Sequence, residues 1–273
     1  MKSLKYTFED IKKEVILLPI SDCHIGASNW NEHKLRETID FIKDTENAFA
    51  ILNGDILDMC IPDSVASADT MNDETLSPAT ALGLACKLFE PIKDKILLVT
   101  EGNHEYRQTK MTSISPLMQF CTFLNITDRY VPDGAVIFIR FRQRGSKNVN
   151  GNFRTFSIYV THGTSNSSVV SGKIKKLQDL ANIVDCDCYI VGHTHLPACF
   201  KQNYFRTSVE KCAVMEETRL FVNSSAYLNY GGYGQRKGYT PSTISQPKIY
   251  LQLVRKNSGK KLDITRKEMN CIL

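Results

Sequence analysis

The fold of this chain is decided by SDCHIG at residues 21–26, GDILD at 54–58, GNHE at 102–105, HG at 162–163 and GHTH at 192–195. Each stretch follows a short apolar run with the length and composition of a buried β-strand. Because the carboxyl ends of strands in an α/β sheet lie along one edge, we expect the five polar stretches to meet there. Five of the six histidines of the chain lie in them, a distribution that core packing does not explain.

Strands and helices alternate in the first half of the chain, and strands dominate the second. The five apolar runs predict strands at Val15–Ile20, Phe49–Asn53, Ile96–Thr100, Phe156–Thr161 and Cys188–Val191. Further strands are predicted at Ala135–Phe141, Phe153–Tyr159, Arg219–Val222 and Lys248–Val254. Helices are predicted at Glu32–Glu46, Ser77–Ile92, Ser113–Phe123 and Lys173–Val184. The pattern predicts an α/β fold, with sheets face to face and helices outside, in a single domain of residues 1–273.

Two local signals refine this assignment. Ser77 followed by Pro78 is typical of a helix N-cap with proline at the first helical position. The polar segment Arg142–Gly151 is typical of a hairpin connection and does not indicate a domain boundary.

The composition is that of a folded globular protein, with 42% hydrophobic and 23% charged residues among 273. Lys and Arg number 34 against 29 Asp and Glu, a net charge of +5 that suits an anionic substrate without proving a nucleic-acid partner. The nine cysteines contain no CxxC pair, so we expect reduced thiols in a cytoplasmic protein. The first apolar run is too short to span a bilayer, and no membrane partner is expected.

The polar stretches combine carboxylates with imidazoles, the ligands that suit first-row divalent cations such as Mn, Fe, Zn, Ni or Co. An aspartate with two oxygens can bridge a pair of cations. Two metals about 3.5–4 Å apart can bind a phosphoryl oxygen and stabilise the charge of an in-line displacement. The residues therefore favour a two-metal hydrolase.

Read in order, D-x-H, G-D-x-x-D, G-N-H-E, H-G and G-H-T-H resemble the signature of the calcineurin-like metallophosphoesterase superfamily, from Asp22 to His195. The resemblance implies a four-layer α/β/β/α sandwich with two divalent metal ions, Mn²⁺ first among the candidates, at one end of its sheets. It also implies the metal ligands Asp22, His24 and His195 for one ion, Asp55 for both, and Asn103, His162 and His193 for the second. His104 would act as the general acid, and Asp58 would orient it.

One difference between this sequence and the superfamily pattern bears on the substrate. Protein phosphatases of the superfamily continue the second block with an arginine that grips a phosphomonoester, whereas Met59 follows Asp58 here. The block from Asp22 to Gly26 is similar to the repair-exonuclease and phosphodiesterase branches. We therefore predict metal-dependent cleavage of phosphodiester bonds in nucleotides or nucleic acid. A phosphomonoesterase acting on small molecules or phosphoproteins, and a catalytically silent binding scaffold, are the alternatives. A homo-oligomer is compatible with the resemblance.

Several features outside the motifs have a plain structural interpretation. His33 is expected to lie on the surface, and Glu105 is expected to serve structure. The basic run Lys173–Lys176 is typical of the solvated face of a helix. The loop Tyr227–Tyr239, which contains Arg236 and Lys237, would suit phosphate or base binding, or would be an ordinary solvated loop.

Overall fold

The structure is a computed structural model that describes residues 1–8, 14–59, 76–142, 153–164, 167, 169–210, 212–231, 235, 238, 241–256 and 264–273. The strands are β1 (Lys2–Phe8), β2 (Glu14–Ile20), β3 (Ala48–Asn53), β4 (Ile96–Thr100), β5 (Ala135–Arg142), β6 (Phe153–Val160), β7 (Cys188–Val191), β8 (Ala198–Ser208), β9 (Ala213–Asn223), β10 (Lys248–Lys256) and β11 (Ile264–Ile272). The α-helices are α1 (Glu32–Asp44), α2 (Pro78–Phe89), α3 (Asn103–Thr112), α4 (Pro116–Phe123) and α5 (Val170–Asp179). Short 3-10 turns lie at Glu90–Lys95, Thr127–Arg129 and Leu180–Asn182.

The strands form two sheets. One has the order β1-β5-β6-β7-β9-β8, and the other has the order β11-β10-β2-β3-β4. Strands β2, β3 and β4 run parallel, and so do β6, β7 and β9, so each sheet gathers several carboxyl ends at one edge. The polar stretches come from both sheets: three follow strands of the five-stranded sheet, and two follow strands of the six-stranded one.

Strand β2 shows how the layers pack, because its two faces belong to different cores. Leu17 packs between the sheets with residues of β5 and β6, whereas Leu18 faces α1 and α2. Burial on both faces explains why β2 is a continuous apolar run and does not alternate. On the outside of the six-stranded sheet, Leu177 of α5 packs with Tyr189 and Phe221. The four-layer α/β/β/α sandwich is therefore confirmed.

The predicted elements are present with shifted ends. Ser77 caps α2 by accepting the Thr80 amide, as predicted. The helix predicted from Ser113 begins instead at Pro116, because Ser113 adopts a left-handed conformation that ends α3 and Ser115 caps the next helix. The helix predicted at Lys173–Val184 begins earlier, at Val170.

Four elements were not predicted: β1, β8, β11 and α3. The three strands expose many of their side chains, so their sequences lack the apolar run that marks a buried strand. The proposed connection Arg142–Gly151 lies almost wholly outside the described residues, between the antiparallel partners β5 and β6. In the described part of the chain, no helix combines the length and the apolar character needed to cross a bilayer.

We expect Leu17→Ala to lower the free energy of unfolding by about 2–5 kcal/mol, because Leu17 is 0% exposed between the sheets and its loss leaves a cavity. Urea denaturation in the presence of EDTA would measure the change without a contribution from metals. The matched control is Val214→Ala, whose side chain is 66% exposed on β9 and should change stability by less than about 1 kcal/mol. Equal losses in the two variants would contradict the packing described here.

Candidate metal centre

Five site residues occupy the left-handed region of backbone conformation, which non-glycine residues rarely adopt. They are Asp22 (φ 52°), His24 (φ 48°), Asp55 (φ 48°), His193 (φ 64°) and His195 (φ 54°). Each follows the end of a strand, where the turn directs a side chain across the sheet edge. Strained backbone of this kind persists where surrounding contacts hold it, and it is concentrated at functional sites.

Backbone hydrogen bonds hold the loops after β2 and β3 side by side. The Asp22 amide donates to the Gly54 carbonyl at 3.0 Å, and the His24 amide donates to the Asp55 carbonyl at 3.0 Å. The pairing of the two parallel strands thus continues past their ends. This continuation fixes the two aspartates next to one another.

One cluster consists of Asp22, His24 and His195, whose ligand atoms lie within 4.8 Å of one another. His195 Nε2 lies 3.2 Å from Asp22 Oδ1 and 3.4 Å from His24 Nε2. The Asp22 carboxylate also accepts the His193 amide, at 2.9 and 3.1 Å, and the Ser21 hydroxyl. Two imidazole nitrogens and a carboxylate therefore face a common point.

A second cluster consists of Asp55, His162 and His193. His162 Nδ1 lies 2.7 Å from the Asn53 carbonyl and donates its proton there, which directs Nε2 toward Asp55 Oδ2 at 3.2 Å. Nε2 is buried and has no hydrogen-bond partner among the described residues. A histidine fixed in this way can offer Nε2 to a cation once that atom has released its proton.

Asp58 and His104 lie beside the first cluster. His104 Nδ1 lies 2.7 Å from the Asp58 carbonyl and 3.2 Å from the Asp58 carboxylate. The same carboxylate oxygen lies 3.4 Å from His24 Nδ1, a contact that the motifs did not predict. Asp58 therefore orients two imidazoles, the predicted general acid and a predicted metal ligand.

Glu105 serves structure, as the sequence suggested, and its position shows how. Its buried carboxylate accepts the amides of Asp55 at 3.0 Å, Leu57 at 2.8 Å and Gly102 at 3.0 Å. It therefore joins the loop after β3 to the start of α3. Burial and the nearby Asp55 charge raise the pKa of Glu105 to about 7.

Gly102 and Gly192 make room for the carboxylates. A Cβ at Gly102 would overlap the Asp55 carboxylate, and one at Gly192 would overlap the Ser21 hydroxyl and lie 2.8 Å from Asp22 Oδ2. Close approach of the backbone therefore requires glycine in both motifs.

The remaining candidates have separate outcomes. Asn103 begins α3 with an exposed side chain, so its role as a ligand stays a prediction. Lys173 departs from the expected solvated face, because its ammonium donates to the Thr194 carbonyl at 3.0 Å, between the two histidines of the last motif. His33 is exposed beside Glu37, as expected. Arg236 and Lys237 lie outside the described residues.

A family profile described as calcineurin-like phosphoesterase matches residues 17–197 of the chain, about two thirds of its length. The chain belongs to the calcineurin-like phosphoesterase family. The match covers β2 to the last histidine motif, and it confirms the resemblance drawn from the five polar stretches. No curated protein sequence matches the chain.

Solved structures of similar fold include a predicted phosphoesterase from Streptococcus pneumoniae TIGR4, 15% identical, with a TM-score of 0.38 over 93% of this chain and 98% of that one. Vps29 from Chaetomium thermophilum is 12% identical, with a TM-score of 0.40 over 94% of this chain and 96% of that one. Vps29 from Entamoeba histolytica complexed with Zn²⁺ is 12% identical, with a TM-score of 0.38 over 94% and 99%.

The two clusters fit the divalent cations that family members bind. Burial raises the pKa of the Asp22 carboxyl, but the adjacent His195 and His162 outweigh burial and hold that pKa at about 2. Burial lowers the pKa of His162, and Asp55 more than reverses this and raises the pKa to about 10. The carboxylates thus require positive charge beside them, which a protonated imidazole or a metal ion can supply. His24 and His193 have pKa values lowered by burial, which favours the neutral form that binds metals.

We expect Asp58→Ala to weaken Mn²⁺ binding by about 10–100-fold although Asp58 is not among the predicted ligands, because His24 loses the carboxylate that orients it. Isothermal titration of chelator-stripped protein would measure the affinity. Glu37→Ala is the matched control, since it also removes a carboxylate 3.4 Å from an imidazole Nδ1, but on the surface. Unchanged affinity in both variants would show that Asp58 does not support the metal centre.

Proposed function

We propose that the protein is a metal-dependent phosphodiesterase that cleaves nucleotides or nucleic acid, with His104 as the general acid. The observation that carries the proposal is the arrangement of His104 and Asp58 beside two clusters of carboxylates and imidazoles. The clusters supply six of the seven predicted ligands, and Asn103 would supply the last. Mn²⁺ is the metal proposed first, and Fe, Zn, Ni or Co suit the same donors.

A pair of divalent cations would supply Lewis acidity toward a phosphoryl oxygen and toward an attacking water. Asp22, His24 and His195 would hold one cation. His162, His193 and Asn103 would hold the other, and Asp55 would contribute to both. The proton for the leaving oxygen would come from a further side chain, that of His104.

His104 is suited to protonate the leaving oxygen. Burial lowers its pKa, but the carboxylates of Asp55 and Asp58 outweigh burial and raise the pKa above the usual histidine value. Because Nδ1 faces Asp58, Nε2 is the atom left to donate a proton. The side chain is 21% exposed, which gives a substrate access to it.

Met59 supports a diester over a monoester as substrate. It stands directly after Asp58, where protein phosphatases of the superfamily place their phosphate-binding arginine, and it is only 3% exposed. A buried thioether offers no donor to the additional charged oxygen of a phosphomonoester. A diester carries one negative charge and needs less cationic contact.

We expect metal-stripped protein that is re-supplied with Mn²⁺ to hydrolyse bis-p-nitrophenyl phosphate faster than p-nitrophenyl phosphate. Release of p-nitrophenolate gives both rates. Asp55→Asn should abolish turnover, because it removes the carboxylate shared by the predicted ligand sets. Faster cleavage of the monoester would favour a phosphomonoesterase, and no cleavage with any metal would favour the scaffold alternative.

We expect His104→Ala to slow cleavage of a dinucleotide, whose leaving group is an alkoxide, by about 10²–10⁴-fold. The loss should be smaller with bis-p-nitrophenyl phosphate, because p-nitrophenolate leaves without protonation. Metal content measured in parallel shows that the ions are retained, and His33→Ala controls for the loss of a surface imidazole. A variant that retains its metals and cleaves the dinucleotide at full rate would rule out the acid role.

A further inference from the structure

Helix α3 carries a row of four side chains that starts at the metal centre. Asn103, Tyr106, Arg107 and Lys110 are spaced three and four residues apart, which places them within an arc of about 100° on one face of the helix. His104 flanks the first member of the row. Along the axis the row measures about 10 Å, at 1.5 Å per residue.

The row is accessible. Tyr106 is 59% exposed, Asn103 and Lys110 are exposed, and Arg107 is half-buried. The Tyr106 ring makes no ring contact with another described residue. Arg107 and Lys110 form no ion pair within the described part of the chain. An exposed aromatic side chain together with such cations is the combination that proteins use to bind single-stranded nucleic acid.

Arg107 is directed toward the start of the helix. Its Nε donates to the Asn103 carbonyl at 3.3 Å, so the side chain folds back along the helix toward the site. The guanidinium forms no ion pair with a carboxylate of the described residues. Its charge acts to lower the pKa of His104, against Asp55 and Asp58, which agrees with its position beside that imidazole.

No carboxylate lies in the row. The one acidic residue of α3 is Glu105, which is buried on the opposite side of the helix and bound to backbone amides. The exposed face of α3 is therefore cationic, with Arg107 and Lys110 as its charges.

The length of the row indicates the size of the ligand. Successive phosphates of one strand advance by about 3.4 Å along the axis of a double helix, so a row of about 10 Å is long enough to contact more than one nucleotide. A base must also be unpaired and accessible to stack on Tyr106.

We infer that the exposed face of α3 binds single-stranded nucleic acid, with a base stacked on Tyr106 and backbone phosphates at Arg107 and Lys110. The inference rests on the proposed function, since it extends the diester substrate of the metal centre to a strand of several nucleotides. It makes Asn103–Lys110 the path along which the strand leaves the site.

The test is binding of a fluorescein-labelled twelve-nucleotide thymidine strand, followed by anisotropy in EDTA so that no cleavage occurs. Tyr106→Leu, Arg107→Gln and Lys110→Gln should each weaken binding by at least about fivefold. Each charge variant should also reduce the slope of log affinity against log salt by about 0.7, whereas Tyr106→Leu should leave that slope unchanged. Tyr106→Phe should restore binding.

Lys43→Gln is the matched control, because Lys43 is an exposed lysine in the last turn of α1 and should not affect binding. Hydrolysis of bis-p-nitrophenyl phosphate by the same proteins separates this inference from the proposed function. If the small diester is cleaved but the strand does not bind, or binds equally to all variants, the inference is overturned and the proposed function stands. If the strand binds through the row and no diester is cleaved, the nucleic-acid surface stands and the proposed function fails.

Discussion

The carboxylates of Asp22 and Asp55 are almost fully removed from water, and an ionised carboxylate in such a place is very costly unless positive charge or hydrogen bonds compensate it. The surrounding structure supplies both. The His193 amide and the Ser21 hydroxyl donate to Asp22, and the His104 amide donates to Asp55 at 2.8 Å. Imidazoles and, when bound, divalent cations supply the remaining positive charge. Because both aspartates must meet these partners at one point, the loops that carry the partners have little freedom.

The two facing sheets provide this convergence. Asn53 shows how closely the layers are joined at the site: its side-chain amide donates to the Thr161 carbonyl at 3.1 Å, and its own carbonyl accepts the His162 proton. The Thr100 hydroxyl completes the junction by donating to the Asn53 side chain at 3.1 Å. One residue at the end of β3 thus joins the ends of β4 and β6, which belong to different sheets. The inter-sheet core below holds these strand ends in register, so the metal centre depends on packing as much as on its own ligands.

The sequence indicates this architecture well where a strand is buried on both faces. Strands β2, β3, β4 and β7 are continuous apolar runs, and each ends at a motif whose residues the structure brings together. Sequence reasoning fails where burial is partial, because β1, β8 and β11 expose polar side chains and resemble loops. It also misses contacts between segments that are distant in the sequence, such as Asp58 with His24 and Lys173 with Thr194. These contacts depend on the relative positions of distant segments, and no local spacing encodes them.

Asp58 links metal binding by His24 to proton donation by His104, and neither the D-x-H motif nor the G-N-H-E motif shows this link alone. Its carboxylate faces the imidazole that would hold a cation and the imidazole that would donate a proton, so it influences both through one charge. An anion there stabilises a protonated His104 and increases the electron-donating strength of His24 toward a metal. A neutral side chain would weaken both effects together. The residue that follows, Met59, adds no positive charge that would oppose them. Among the cations of α3, Arg107 is the one whose charge acts on His104, where it lowers the pKa that Asp55 and Asp58 raise.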